Sequence, residues 1–479
     1  SDSSALSLSW APMPPQVRPF PCHFRDGSLM GVDGRVLRLS LLRLLGLVAL
    51  LGADAPASTA VAADAASTPA VLWFAPFYSG GGYCSEATAF ALGLLREAQV
   101  DIGIVHFGYS YNPDYVTGLD ADTRCALATM AERARSIAPG DAVVICHAEP
   151  GAWHPSPWGR PRCPPVGARY AIGRTMFETD RIPTGWRARL NRMDEVWVPS
   201  LFNERTFAEG GTESRRLRVV GEPVDISFFD PSRVTTSFAL PDLEEAATTT
   251  VFLSVFKWED RKGWDVLLES YFREFSSQAT IDNGANGGNN NVALYILTTS
   301  FHSTSDFEEQ IETFARERLG IHDLSQMPPV RILRWLPQDD IPRLYAAATA
   351  LVQPSRGEGW GRPHAEAMAM GVPVVATNWS GSTEFLTPDN AFLIAVEDEL
   401  VSVGSGAFRE HKWAQPSVVS LRGILRHIHE DHDAAAEVGK RGQALMRTRY
   451  SPKRMAMDVK AHLERIGAKL QQGQREEEL

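Results

Sequence analysis

Two carboxylates, Glu358 and Glu366, stand with seven residues between them in the stretch Ser355–Ala376, SRGEGWGRPHAEAMAMGVPVVA. Both can face one cleft at the C-terminal end of a strand, where open α/β sheets bind ligands. Gly357, Gly359 and Gly361 let backbone come close to a ligand. Pro363 suits the first turn of a helix, and that turn offers free N–H groups to an anion. The apolar run at 350–354 before this stretch and the run Val372–Ala376 inside it read as buried strands, with the helix ending at Gly371-Val-Pro373. Strand, glycine loop, helix and strand make a βαβ unit, whose ligand side is the C-terminal edge of the strands. Taken locally, Glu366 is only a carboxylate near a helix start and Glu358 only a solvated loop residue. The surrounding PS-x-x-EG-x-G frame and the GVPVV strand favour chemistry instead.

Those same residues carry a resemblance. E-G-W-G-R-P-H-A-E resembles the E-x7-E signature of retaining GT-B glycosyltransferases, the glycosyl transferases group 1, which include sucrose synthases and bacterial mannosyltransferases. The resemblance implies that Glu366 binds ribose hydroxyls of a sugar nucleotide and Glu358 binds hydroxyls of the donor sugar. Gly359, Trp360 and Gly361 fall in the same donor loop. Lys257-Trp-Glu-Asp-Arg-Lys262-Gly263 is similar to the family's G-R-x4-K-G, with Phe256 in place of Gly and Lys257 in place of Arg. Lys257 and Lys262 are thereby implied as the cations on the diphosphate, with no metal. A lysine at 257 keeps the charge but lacks the guanidinium fork. Gly381-Ser-Thr-Glu384 resembles the G-G-x-x-E loop near the donor. In the first half, Gly80, Gly81 and Gly82 match the loop that reaches towards donor phosphate. His147, at the end of the apolar run Asp141–Cys146, is the candidate for contact with donor sugar or acceptor. Glu149 and Glu178 fall on the acceptor side, Glu178 being equally readable as a salt-bridge partner. With these residues go the catalytic assignments His147, Lys262 and Glu358, and a UDP- or GDP-sugar as substrate with no cofactor. Two other readings fit the fold: a sugar-nucleotide 2-epimerase, and a non-catalytic sugar-nucleotide or glycan-binding protein.

The chain of 479 residues allows about three domains of usual size or two large ones, and its charged fraction of 22% is that of a globular protein. A net charge of −11 argues against a nucleic-acid or anionic-membrane surface, so any phosphate site must be local. Asp120-Ala-Asp122 is a D-x-D, but it precedes an expected helix and reads as a capping region. No metal is assigned to it. The five cysteines show no CxxC and no zinc spacing, leaving room for one bridge among Cys84, Cys125, Cys146 and Cys163.

Residues 1–69 read as a disordered and targeting segment. From Met30 the chain carries Arg35, Arg38 and Arg43, then the apolar run Leu44–Ala53 and the small-x-small site Ala53-Asp54-Ala55. That is the form of a cleaved secretory signal. The alternatives are an uncleaved anchor over Leu37–Ala53 and an organelle transit peptide. The expected location is the secretory pathway, in the ER or Golgi lumen, with membrane association only through this segment. Residues 70–228 are expected to form a Rossmann-like acceptor domain, 229–250 a linker, and 251–447 a Rossmann-like donor domain. Within the latter, 276–291 reads as a flexible insertion and Leu421–Met446 as one helix. Residues 448–470 give a helix crossing back to the first domain, and 471–479 an acidic tail. The fold class is α/β, two doubly wound domains facing across a cleft. The implied partners are a nucleotide-sugar donor and a glycan, lipid or protein acceptor.

Overall fold

The computed structural model describes residues 68–154, 161–236, 238–243, 248–276, 291–300, 306–404 and 408–477. The expected targeting segment and most of the 276–291 insertion lie outside the described residues. Two sheets, each of six parallel strands, form the frame. The first contains β1 (Ala70–Ala75), β2 (Ile102–His106), β3 (Ala142–His147), β4 (Tyr170–Arg174), β5 (Glu195–Val198) and β6 (Leu217–Val219), in the order β2-β1-β3-β4-β5-β6. The second contains β7 (Thr250–Trp258), β8 (Val292–Ser300), β9 (Val330–Leu333), β10 (Ala350–Gln353), β11 (Val374–Thr377) and β12 (Phe392–Ile394), in the order β12-β11-β10-β7-β8-β9. Strands such as β3 (AVVICH) and β10 (ALVQ) are buried along their whole length, because helices cover both faces of each sheet.

The second order is the dinucleotide-fold order 3-2-1-4-5-6, with its switch point between β7 and β10, where ligands bind beyond the strand ends. The sequence puts Lys262 after β7 and Glu358 after β10, so topology alone brings them to one crevice. In the first sheet the switch lies between β1 and β3, and the loop Gly80–Gly82 follows β1.

Five helices bear on the site: α1 (Gly82–Arg96), α2 (Leu201–Glu209), α3 (Trp264–Phe275), α4 (Arg362–Ala369) and α5 (Pro452–Glu477). The last runs seven residues beyond the expected end at Leu470 and packs on the first domain. Its Arg465 meets Glu195 at 2.7 Å, and Lys460 donates to the Ala98 carbonyl at 3.1 Å. The expected single helix over Leu421–Met446 is two, Val418–Glu430 and His432–Arg449, because Asp431 turns out of the helix and its carboxylate caps Ala434 N–H. Asp120 likewise caps the helix Ala121–Arg133, taking Thr123 N–H at 2.8 Å. Cys146 is bridged to Cys163, and Cys84 is a buried free thiol. Among the described residues no helix is long and apolar enough to cross a membrane.

Candidate functional site

Glycine caps distinguish the helices that face the cleft. Most helices elsewhere start on a side-chain cap such as Asn112, Asp120, Asp306, Ser417 or Asp431. Helices α1, α3 and α4 start instead at Gly81, Gly263 and Gly361, with no side-chain cap. Their first N–H groups are therefore available to an external acceptor. Gly263 and Gly361 are in the left-handed region, at φ 66° and 102°, which glycine enters without strain. A Cβ at Gly263 would strike the Pro354 carbonyl, so the turns after β7 and β10 pack backbone to backbone.

Glu358 lies on the β10 loop, 8% exposed. Lys262 Nζ is 2.6 Å from one of its oxygens, and Arg261 Nη1 is 3.0 Å from the other. Its backbone N–H donates to Ser380 Oγ at 2.8 Å. Burial opposes its ionisation, but Lys262 and Arg261 outweigh it and hold the carboxyl well below the usual range. Arg261 also donates to the Gly357 carbonyl and to Glu259, both at 2.7 Å, and reaches across the cleft to Glu178 at 3.4 Å. Burial raises the Glu178 carboxyl, against the pull of Arg261. The sequence reading missed Arg261, whose one local signal is its place beside Lys262. Lys257 lies inside β7, paired in register with Thr299 and exposed, because the strand runs two residues past its expected end at Phe256.

Glu366 is five residues into α4. Tyr345 donates to one of its oxygens at 3.1 Å, and Arg362 Nε stands 4.0 Å from the other. Burial raises its carboxyl, opposed by Arg362. His364, in the same helix, is 1% exposed; burial, with Lys262 nearby, pushes its pKa down to about 4. The sign follows from proton uptake. The unfolded imidazole, near 6.5, is protonated first as pH falls, so this contribution is complete above about pH 6.5 and is lost towards pH 4. Between those limits the chain is expected to lose on the order of 3 kcal/mol of stability through this one group. Denaturant titrations at several pH values should show the step, and His364→Gln should remove it.

Three expected site residues are placed differently. His147 is fully buried at the end of β3. Trp73 Nε1–H donates to its Nδ1 at 3.2 Å, so the proton is on Nε2, which faces Glu86 at 3.0 Å. Both ring nitrogens are thus engaged inside the first domain, and the ring holds Glu86 rather than opening on the cleft. Glu86 also meets Arg174 at 2.7 Å, with all three side chains fully buried. Burial opposes ionisation of Glu86, yet Arg174 and His147 bring it down to about 2. Trp360, 2% exposed, packs on Phe385 and Tyr450 with ring centroids 4.6 and 5.3 Å away. Glu384 accepts Leu201 N–H at 2.8 Å, capping α2 of the opposite domain.

Gly81 and Gly82 have open space above them, as a loop that receives a ligand requires, whereas Gly80, at φ 78°, lies against the Tyr115 ring. Glu149 is exposed and accepts from Tyr109 OH at 3.1 Å. The segment Thr175–Asp180 of the first domain covers the β10 loop: a Cβ at Gly357 would strike the Glu178 carbonyl, and one at Gly359 the Met176 side chain. Two cavities of about 400 and 420 Å³ flank Glu384; neither is lined by Glu358, Glu366 or Lys262, which the interdomain contact covers. Convergent charges and bare helix starts, rather than cavity size, mark the candidate site.

The family profile described as glycosyl transferases group 1 matches residues 247–403, the span that holds these groups. O-antigen chain mannosyltransferase B of Escherichia coli is 34% identical over 100 residues, 20% of this chain and 25% of that protein. A D-inositol 3-phosphate glycosyltransferase of Acidothermus cellulolyticus is 25% identical over 236 residues, 47% of this chain and 49% of its own. The chain thus spans between a quarter and a half of the length of these curated relatives. Among solved structures, Anabaena HepE in complex with UDP and glucose superposes with a TM-score of 0.56 at 16% identity, covering 82% of this chain and 99% of that one. Sucrose-phosphate synthase from Thermosynechococcus elongatus gives 0.54 at 14% identity, covering 84% and 99%. The architecture is the GT-B fold, and residues 247–403 carry a glycosyl transferases group 1 domain.

Proposed function

We propose that the chain transfers a hexose from a UDP- or GDP-sugar to a glycan, lipid or protein-linked acceptor, with retention at the anomeric carbon. The observation that carries this reading is the gathering of Lys262, Arg261 and the bare starts of α3 and α4 around Glu358, at the switch point of the second sheet. Such a site suits a diphosphate beside a hydroxyl-rich ring. The names of the curated relatives support sugar transfer, and the UDP-bound state of HepE supports a nucleotide-sugar donor. In the reaction the bond from the anomeric carbon to the diphosphate oxygen breaks. A bond to the acceptor oxygen forms on the same face, and the acceptor proton passes to the leaving phosphate. Lys262 and the helix N–H groups stabilise the charge growing on that phosphate without a metal. Glu358 orients the sugar, Glu366 holds the ribose, and the acceptor approaches from Glu149 and Glu178. The disulfide Cys146–Cys163 supports an oxidising compartment such as the secretory lumen.

Glu366→Ala tests the donor assignment. It removes a charged acceptor used in ground and transition states alike, so affinity for the nucleotide diphosphate is expected to fall by roughly 1.5–3 kcal/mol. Glu358→Ala is expected to leave that affinity nearly intact and to lower turnover. Calorimetry with UDP and GDP reads both. Wild-type affinity in Glu366→Ala would overturn the assignment of roles.

A further inference from the structure

A line of buried charge crosses from the first domain to the second, and nothing in the proposed reaction uses it. In the first domain it begins with Glu86 and Arg174. Arg174 also donates to the carbonyl of Val220, where the chain leaves the first sheet for the second. Two residues on, Glu222 is 2% exposed, and its carboxylate is 3.3 Å from Arg362 Nη1. The same Arg362 nitrogen lies 3.5 Å from the Pro223 carbonyl. Arg362 is the first residue of α4, and its Nε faces Glu366 at 4.0 Å. Tyr345 holds the far oxygen of Glu366. The crossover segment is therefore tied to the first domain through Val220 and to α4 through Glu222.

We propose that Glu222, acting through Arg362, is a positioning residue for Glu366, fixing its carboxylate and linking it to the seam between the domains. The proposal rests on the reading of Glu366 as the ribose ligand. A guanidinium held between two carboxyl groups, one hydrogen-bonded to it and the other beside it, cannot swing freely. With Glu222 in place, Arg362 stays over Glu366; without it, a buried cation loses a partner and turns more fully onto Glu366, away from the geometry that leaves an oxygen for ribose.

Glu222 also gives the arrangement a pH signature. The groups that face it are Glu86 from α1, Arg174 from β4 and Arg362 from α4. Burial and the Glu86 charge push its carboxyl up to about 8, against the pull of Arg362 and Arg174. Below that pH Glu222 is neutral. A diphosphate at the start of α4 disfavours a further negative charge there, so binding keeps Glu222 protonated and affinity falls as pH rises through 8. A tenfold rise in the proton affinity of Glu222 on binding makes binding about fivefold weaker at pH 9 than at pH 7.

The test is calorimetry with UDP-glucose and GDP-mannose on wild type, Glu222→Gln, Glu222→Ala and Glu366→Ala, from pH 7 to 9. Expected are the wild-type fall with pH, a flat profile with near-wild-type affinity at pH 7 in Glu222→Gln, and about tenfold weaker binding in Glu222→Ala. The Gln variant keeps the shape and one acceptor oxygen, so it decides the matter even if the Ala variant folds poorly. Wild-type pH dependence in Glu222→Gln, beside weakened binding in Glu366→Ala, overturns the inference and leaves the donor assignment standing. Wild-type affinity in Glu366→Ala, or no binding of either probe to wild type, overturns the donor assignment and the inference with it.

Discussion

Lys262→Ala is expected to lower turnover by about 10²–10³-fold, the usual effect of removing one preorganised electrostatic contact to a charge that grows in the transition state. The structure makes the expectation sharper than charge alone would. Lys262 is 2.6 Å from Glu358 in a site where both side chains are nearly buried, at 13% and 11% exposure. Its ammonium is therefore fixed before substrate arrives and needs little reorganisation during the reaction. Removing it leaves Glu358 to Arg261 alone, and Arg261 is already engaged by Glu259, Glu178 and the Gly357 carbonyl. Nucleotide affinity should fall far less than turnover, because a diphosphate bound as proposed would still meet the helix starts. Lys262→Arg should recover part of the rate, since it keeps the charge with a different shape. Donor-turnover kinetics with nucleotide calorimetry separate the two effects. Turnover in Lys262→Ala within tenfold of wild type would remove Lys262 from the reaction.

The second large effect is on stability. Glu86→Ala is expected to cost about 3–5 kcal/mol, because it leaves Arg174 charged and buried with its carboxylate gone. His147 loses the partner of its Nε2 at the same time. Against a total of about 5–15 kcal/mol for a typical protein, that is a large fraction. Glu86→Gln keeps the shape and should recover only part of it, since the charge on Arg174 remains uncompensated. Glu213 and Arg215 pair at 40% and 77% side-chain exposure, and Glu213→Ala is the control expected to move the melting profile far less than Glu86→Ala. Denaturant and thermal melts of the three variants make the comparison. A Glu86→Ala melt like that of wild type would show that the buried cluster adds nothing to stability.

The two sheets were legible because every parallel strand buried on both faces is a continuous apolar run, and Val71–Ala75, Val143–Cys146 and Val374–Ala376 stand out as such. The groups after β7 and β10 were legible because Lys262, Glu358 and Glu366 sit in short motifs fixed by local turns. The charged groups behind them were not. Glu86 and Arg174 are 88 residues apart in the chain, and Glu222 and Arg362 are 140 apart. Pairs of that kind exist only once the sheets are assembled, and no local period announces them. Trp360 and Glu384 show the converse limit. Each lies in a motif whose resemblance implies a place near the donor, yet one side chain turns into the core against Tyr450 and the other onto α2. A motif fixes where the backbone goes; the packing partner decides which way the side chain points.

Helix α5 has a consequence for biosynthesis. Ala456, Val459, Leu463 and Ile466 belong to the same apolar core as Val71, Trp73 and Leu94. Pro452 and Ala456 lie directly against Gly93 of α1. The first sheet is complete at Val219, but one of its covering layers is made only once the chain has reached Pro452 and beyond. At synthesis rates of about 5–20 residues per second, the interval between residues 220 and 459 is roughly 10–50 s. Throughout that time the nascent first domain shows water an apolar flank with no cover of its own. Its folding cannot finish before its neighbour has been synthesised, although its sheet precedes that neighbour in the chain.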